Sequence, residues 1–225
     1  MPFQGFPPEA LKFLRGIERN NDREWFQAHR DDYEGHLLEP ARDLVVDLGA
    51  RLRRLSKDVH AEPQVDRSIR RMNRDIRFSK DKRPYKNHLD LWFWQGSGSG
   101  PGYWFRLTPT QLMLGAGMHG FDRPVLERYR EAVADPKRGA ALERAIARAR
   151  KAGSYEVGGQ AYKRVPAGFD PGHPRAELLK HGALYAGLNM PVPREIHTAA
   201  FVDFCFRRYR PMAPLQDWLA ALVRD

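Results

Sequence analysis

A chain of 225 residues with 42% hydrophobic and 11% aromatic content can bury a sizeable core, which excludes a mainly disordered protein. No stretch approaches the roughly 18 consecutive apolar residues of a membrane span, and the start Met1-Pro2-Phe3-Gln4-Gly5 has neither the basic nor the apolar part of a signal segment, so a cytoplasmic protein with no membrane partner is expected. The formal charge of +10 is concentrated: the 22 residues from Arg67 to His88 hold nine Lys or Arg and two Asp, a field that attracts anions.

Pro8 to Ile17 carries Leu11, Leu14 and Ile17 at helical spacing behind a proline suited to a first turn, which predicts a helix to about Asn20. Asn21-Asp22-Arg23-Glu24 reads as a capping box, with Asn21 as the cap and Glu24 reaching back. It opens a second helix that stacks Trp25, His29 and Tyr33. Pro40 opens a third, with Leu44, Leu48, Leu52 and Leu55 in one stripe backed by Val45. Val65, Ile69, Met72 and Ile76 would fit a helical face, but Asn73, Asp75 and Pro84 are poor inside a helix, and a strand ending near Asn73 is expected.

Two strands, His88 to Gln95 and Tyr103 to Thr108, are joined by the flexible loop Gly96 to Gly102, and Thr108-Pro109-Thr110 turns into a third, Gln111 to Ala116. Asp122 and Pro124 start a helix with Val125, Tyr129 and Val133 on one face, and Lys137 to Lys151 forms the next. A short hairpin through Gly158-Gly159 is predicted over Tyr155 to Val165. Helices over Arg175 to Tyr185, Glu195 to Arg208 and Pro214 to Val223 close the chain, with Phe201, Phe204, Trp218 and Leu222 in the core. The lone Cys205, between Phe204 and Phe206, is expected to be a buried inert thiol. No repeat or linker divides the chain. The expectation is one α+β domain over residues 1–225, an antiparallel β-meander from about 66 to 118 packed against N-terminal helices and closed by C-terminal ones.

The chemistry lies in the basic segment. Arginine outnumbers lysine there, and its planar fork grips a phosphate or carboxylate with two parallel bonds. Arg71, Arg74, Arg77, Lys82, Tyr85 and Lys86 are the expected lining of a site for an anionic small molecule or a phosphate-bearing ligand. In the alternative reading these cations are solvated or paired with the helix carboxylates Asp31, Asp32, Glu34 or Glu39, each exposed pair contributing about 0 to 1 kcal/mol. An enzyme would use His88 or Asp75 for proton transfer beside cations that stabilise developing charge. A third possibility is nucleic-acid binding, with Trp25, Trp92, Trp94, Tyr103 and Trp104 as stacking rings beside a basic groove. Alternation along the strand puts Trp92 and Trp94 on one face and Leu91 and Phe93 on the other, for which a strand covered on both sides is the simpler explanation.

Other groupings carry less. His29 and His36 with Asp32 could face a metal, but Gly35 and Pro40 interrupt that helix, and no metal or cofactor is called for. Asp122 is better explained as a helix cap than as a partner of His119. The glycine-serine run lacks the Lys-Ser/Thr ending of a phosphate loop.

Four segments together resemble a known family: Asn20 to Phe26, Arg74-Asp75-Ile76-Arg77-Phe78-Ser79-Lys80-Asp81-Lys82-Arg83-Pro84-Tyr85-Lys86, Gly115-Ala116-Gly117, and Lys163 to Asp170. The family is the bacterial and fungal one known as domain of unknown function 2461. The resemblance covers nearly the whole chain and implies one domain without implying a reaction. Ala116 stands where the family pattern has glycine, which argues against backbone contact with a ligand at that position.

Overall fold

The computed structural model describes residues 1–96, 98 and 100–224; Ser97 and Ser99 of the glycine-serine loop, and Asp225, lie outside the described residues. The N-terminal quarter is helical: α1 (Pro8–Arg19), α2 (Arg23–Ala28), the single turn α3 (Arg30–Asp32), a π-helical turn Tyr33–Leu38, and α4 (Glu39–Leu52). The expected stripe on α4 holds for Leu44, Leu48 and Leu52, which are fully buried, while Leu55 lies beyond the end of the helix in a turn and is partly buried. The cap of α2 does not fall where the capping box puts it. Asp22, one residue later, accepts from Trp25 N at 2.8 Å. Asn21 is thereby freed for a long-range contact: its Nδ2 donates to Tyr85 O at 3.0 Å and its Oδ1 accepts from Tyr85 N at 2.9 Å. The helix breaks at His29, so Trp25 and His29 stack at 4.0 Å while Tyr33 turns to Phe26 and Phe13.

The meander is as expected: β1 (Leu89–Trp94), β2 (Gly102–Leu107) and β3 (Gln111–Met118), paired antiparallel. Then come α5 (Arg123–Ala134), capped by Asp122, and α6 (Pro136–Lys151). Beyond them the structure departs from the expectations. The Gly158-Gly159 segment is a single strand, β4 (Glu156–Gln160), and the predicted helix over Arg175 to Tyr185 is only the turn α7 (Ala176–Leu179), followed by the longest strand, β5 (His181–Pro191). The sheet order is β1-β2-β3-β5-β4, so two strands come from the C-terminal half. The 65–73 stretch is not a regular strand; it touches its neighbours through isolated bridges, Ile69 with Leu91 and Asn73 with Tyr85. The 3-10 turns Arg194–His197 and Arg210–Met212 flank α8 (Ala200–Tyr209), and α9 (Ala213–Arg224) ends the chain.

One face of this α+β sheet is the core face. Leu89, Leu91, Phe93, Tyr103, Phe105, Leu112 and Leu114 are buried there in one cluster with residues of α1, α4, α8 and α9, Phe201 and Leu222 among them, while Trp218 packs partly buried at its margin. Tyr103 meets Ser56 at 2.8 Å, and the Ser56 hydroxyl donates to Asp217 at 2.6 Å, which ties α9 to the sheet. Cys205 is fully buried, and burial pushes its thiol far up. Among the described residues no helix is long and apolar enough to cross a membrane.

The Asn21 amide pair makes a direct prediction. Asn21→Ala leaves the Tyr85 backbone groups without their partners, so urea denaturation should give a loss of about 1–3 kcal/mol. An unchanged midpoint would show that water replaces the amide at no cost.

Candidate functional site

The basic segment is shaped by its main chain. Residues 68–70 run along the open edge of β1, with Trp92 N donating to Ser68 O at 2.8 Å and Arg70 N to Asp90 O at 3.0 Å, and so cover an edge that would otherwise be unpaired. The chain then doubles back: Arg74 N donates to Pro84 O at 2.8 Å and Lys86 N to Met72 O at 2.7 Å. Tyr85 anchors this loop by lying flat on Phe26, ring centroids 4.2 Å apart. Ile69 and Met72 point into the core, and the arginines between them point out.

The result is a cavity of about 740 Å3 that gathers Arg70, Arg71, Arg74, Arg77 and Lys86, with Asp66, Asp75, Asn73 and His88. Of the residues singled out in the sequence, Arg71, Arg74, Arg77, Lys86, Asp75 and His88 meet here. Lys82 and Tyr85 do not: Lys82 Nζ donates to Ile76 O at 3.1 Å, and Tyr85 is buried. Arg70 was not singled out. The alternation of buried Ile69 with Arg70 is the signal that places it on the open side.

Most of the cations have partners, though not the helix carboxylates expected. Asp32, Glu34 and Glu39 pair locally, three or four residues along the chain, with His36, Arg30 and Arg42. The loop pairs with itself and its borders: Arg71 with Asp66 at 3.1 Å, Arg77 with Asp75 at 2.7 Å, and Arg74 and Arg83 both with Asp81, at 2.7 and 2.8 Å. Hydrogen bonds from the Arg77 side chain and backbone hold the Asp75 carboxyl below its ordinary range; those from Arg83, then Arg74, do the same for Asp81. Several of these pairs are exposed and therefore weak. Arg70 has neither a carboxylate partner nor a side-chain hydrogen bond among the described residues. Of the five cationic side chains that line the cavity, Arg71, Arg74, Arg77 and Lys86 each have a carboxylate partner, and Arg70 has none among the described residues.

Asp90, on β1, contacts Lys86 and His88, which line this cavity. Its side chain is 16% exposed and accepts from Arg106 Nε at 2.6 Å, with His88 Nε2 at 3.3 Å and Lys86 Nζ at 3.5 Å. Burial by itself would raise the carboxyl, but the hydrogen bonds and charges of His88 and Arg106 outweigh it and hold Asp90 well below the usual carboxylate range. His88 Nδ1 lies 3.1 Å from Asn87 Oδ1, so both ring nitrogens are engaged.

A second cavity, of about 290 Å3, adjoins on the outer face of the sheet and shares Arg70; Asp90, Trp92, Trp104, Arg106 and His119 help to line it. Trp92 and Trp104 are the two of the five candidate stacking rings that reach the basic loop. Trp25 packs on His29, Trp94 on His60, and Tyr103 is buried.

A family model described as conserved hypothetical protein (DUF2461) matches residues 9–218. The chain belongs to this family. No curated protein matches the chain. In this DUF2461 protein the matched span holds both cavities and every strand of the sheet.

Because the Asp90 carboxyl is depressed in the folded state, the stability it contributes is present above its unfolded value of about 4 and is lost as pH falls below that. Asp90→Asn should therefore cost about 1–3 kcal/mol at neutral pH, and the gap to wild type should close as the solution is acidified from about pH 5 downward. Urea denaturation across that range checks it; a gap that stays constant with pH would contradict it.

Proposed function

We propose that this DUF2461 domain binds a phosphate- or carboxylate-bearing anion in the loop cleft, held by Arg70, Arg71, Arg74, Arg77 and Lys86. The observation that carries this reading is the Arg70 guanidinium, which lines the cavity without an acidic partner among the described residues, while Arg71, Arg74, Arg77 and Lys86 around it each have one. A guanidinium left in that state offers two parallel donors to an entering anion. Arg71 and Arg77 can turn to the same anion, since their pairs with Asp66 and Asp75 are solvent-exposed and therefore weak. Asp90 keeps Lys86 and His88 in place at the rear of the cleft, so part of the positive field is fixed before a ligand arrives. An anion that enters thus displaces weak contacts and keeps strong ones.

Titration calorimetry with inorganic pyrophosphate tests the proposal. Wild type should bind, and Arg70→Glu and Arg74→Glu should each weaken binding by about tenfold or more, one lost charge-assisted bond at 1.5–3 kcal/mol, with circular dichroism unchanged. Equal affinity in both variants, or no binding by wild type, would reject it.

A further inference from the structure

The outer face of the sheet carries three aromatic rings laid down on glycines. A β-carbon at Gly115 would overlap the Trp104 ring, one at Gly102 would stand 2.7 Å from the Trp92 ring, and one at Gly158 would stand 2.7 Å from Tyr185. Each ring therefore lies across the neighbouring strand with its face against bare backbone. The core does not require this, because the apolar face of the sheet is the opposite one. His119 packs beside Trp104 at 4.4 Å and beside Tyr185 at 4.9 Å between centroids, which joins those three rings into one aromatic surface, and Trp92 lines the same cavity as Trp104. Partial burial, then the nearby Arg106, lower the His119 imidazole from its ordinary value, so at neutral pH it is an uncharged ring. Arg70 lines both the cavity above this surface and the cationic one.

We propose that the anion of the cleft is the phosphate of a nucleoside phosphate, whose base lies over Trp104 and Trp92 while Arg70 spans base and phosphate. This rests on the reading of the cleft as an anion site. A flat aromatic ring joined to a phosphate is the ligand chemistry that uses both halves: indole faces stack with any nucleobase, and guanidinium groups hold phosphate. The cavities, about 290 and 740 Å3, are of the size that small ligands occupy, on the order of 300–1,000 Å3. A bound single strand would need successive stacking rings along a charged groove. Trp25, Trp94 and Trp218 instead pack against His29, His60 and Tyr129, so the geometry favours one nucleotide over a strand.

The test compares ADP with inorganic pyrophosphate by titration calorimetry, together with quenching of tryptophan fluorescence. Wild type should bind ADP about tenfold or more tighter than pyrophosphate, with quenching by ADP alone. Trp104→Leu should reduce ADP to the pyrophosphate level and leave pyrophosphate affinity as it was. Should Trp104→Leu fail to fold, Trp92→Leu and the wild-type comparison carry the same decision. Equal wild-type affinities would overturn the nucleotide proposal while leaving the anion site standing; no pyrophosphate binding at all would overturn both. Tighter binding of oligothymidylate than of ADP would overturn the choice of a single nucleotide.

Discussion

A single carboxylate joins the two parts of this molecule that matter for function. Asp90 stands on the outer face of β1, largely removed from water, and a buried carboxylate is tolerated only where donors replace its hydration. Arg106 reaches it from β2, and His88 and Lys86 reach it from the end of the basic loop. Its carbonyl accepts from Arg70 N. One residue thus orders the main chain at the start of the cationic cleft and the side chains at its end. The loop can hold many like charges close together because backbone bonds to β1, the Asn21 amide and Tyr85 on Phe26 anchor it, and because Asp81 pairs with both Arg74 and Arg83 within it.

Elements with local periodicity were legible in the sequence. The stripe of α4, the alternation of β1 and the Asp122 cap of α5 all follow from spacing within one element. What depended on distant pairing was not. β5 is built around Gly182, Ala183, Ala186 and Gly187, small residues that carry no strand preference of their own, and it exists because β3, far back in the chain, offers it an edge. Asn21 and Asp22 are both good caps, and only the position of Tyr85 decides which of them caps the helix. The gathering of arginines was visible as composition; the part played by Arg70, and the failure of Lys82 and Tyr85 to join the cleft, depend on how the loop doubles back.

The Gly115-Ala116-Gly117 motif gains its meaning from the alternation of the strand. Ala116 points into the core and is fully buried, so the methyl that departs from an all-glycine pattern falls on the face away from both cavities. Gly115 leaves room for Trp104. Gly117, at φ +135°, lies so close to Leu184 O that a side chain there would collide with the backbone of β5. The two glycines therefore serve the outer face, and a substitution between them does not disturb it.

The most direct measurement is a crystal of the protein soaked in tungstate, a heavy mimic of phosphate whose anomalous signal marks its position without ambiguity. The account predicts a peak within hydrogen-bond reach of the Arg70 guanidinium, between the loop and the outer face of β1. A peak elsewhere on the basic surface, with the space beside Arg70 holding none, would contradict it.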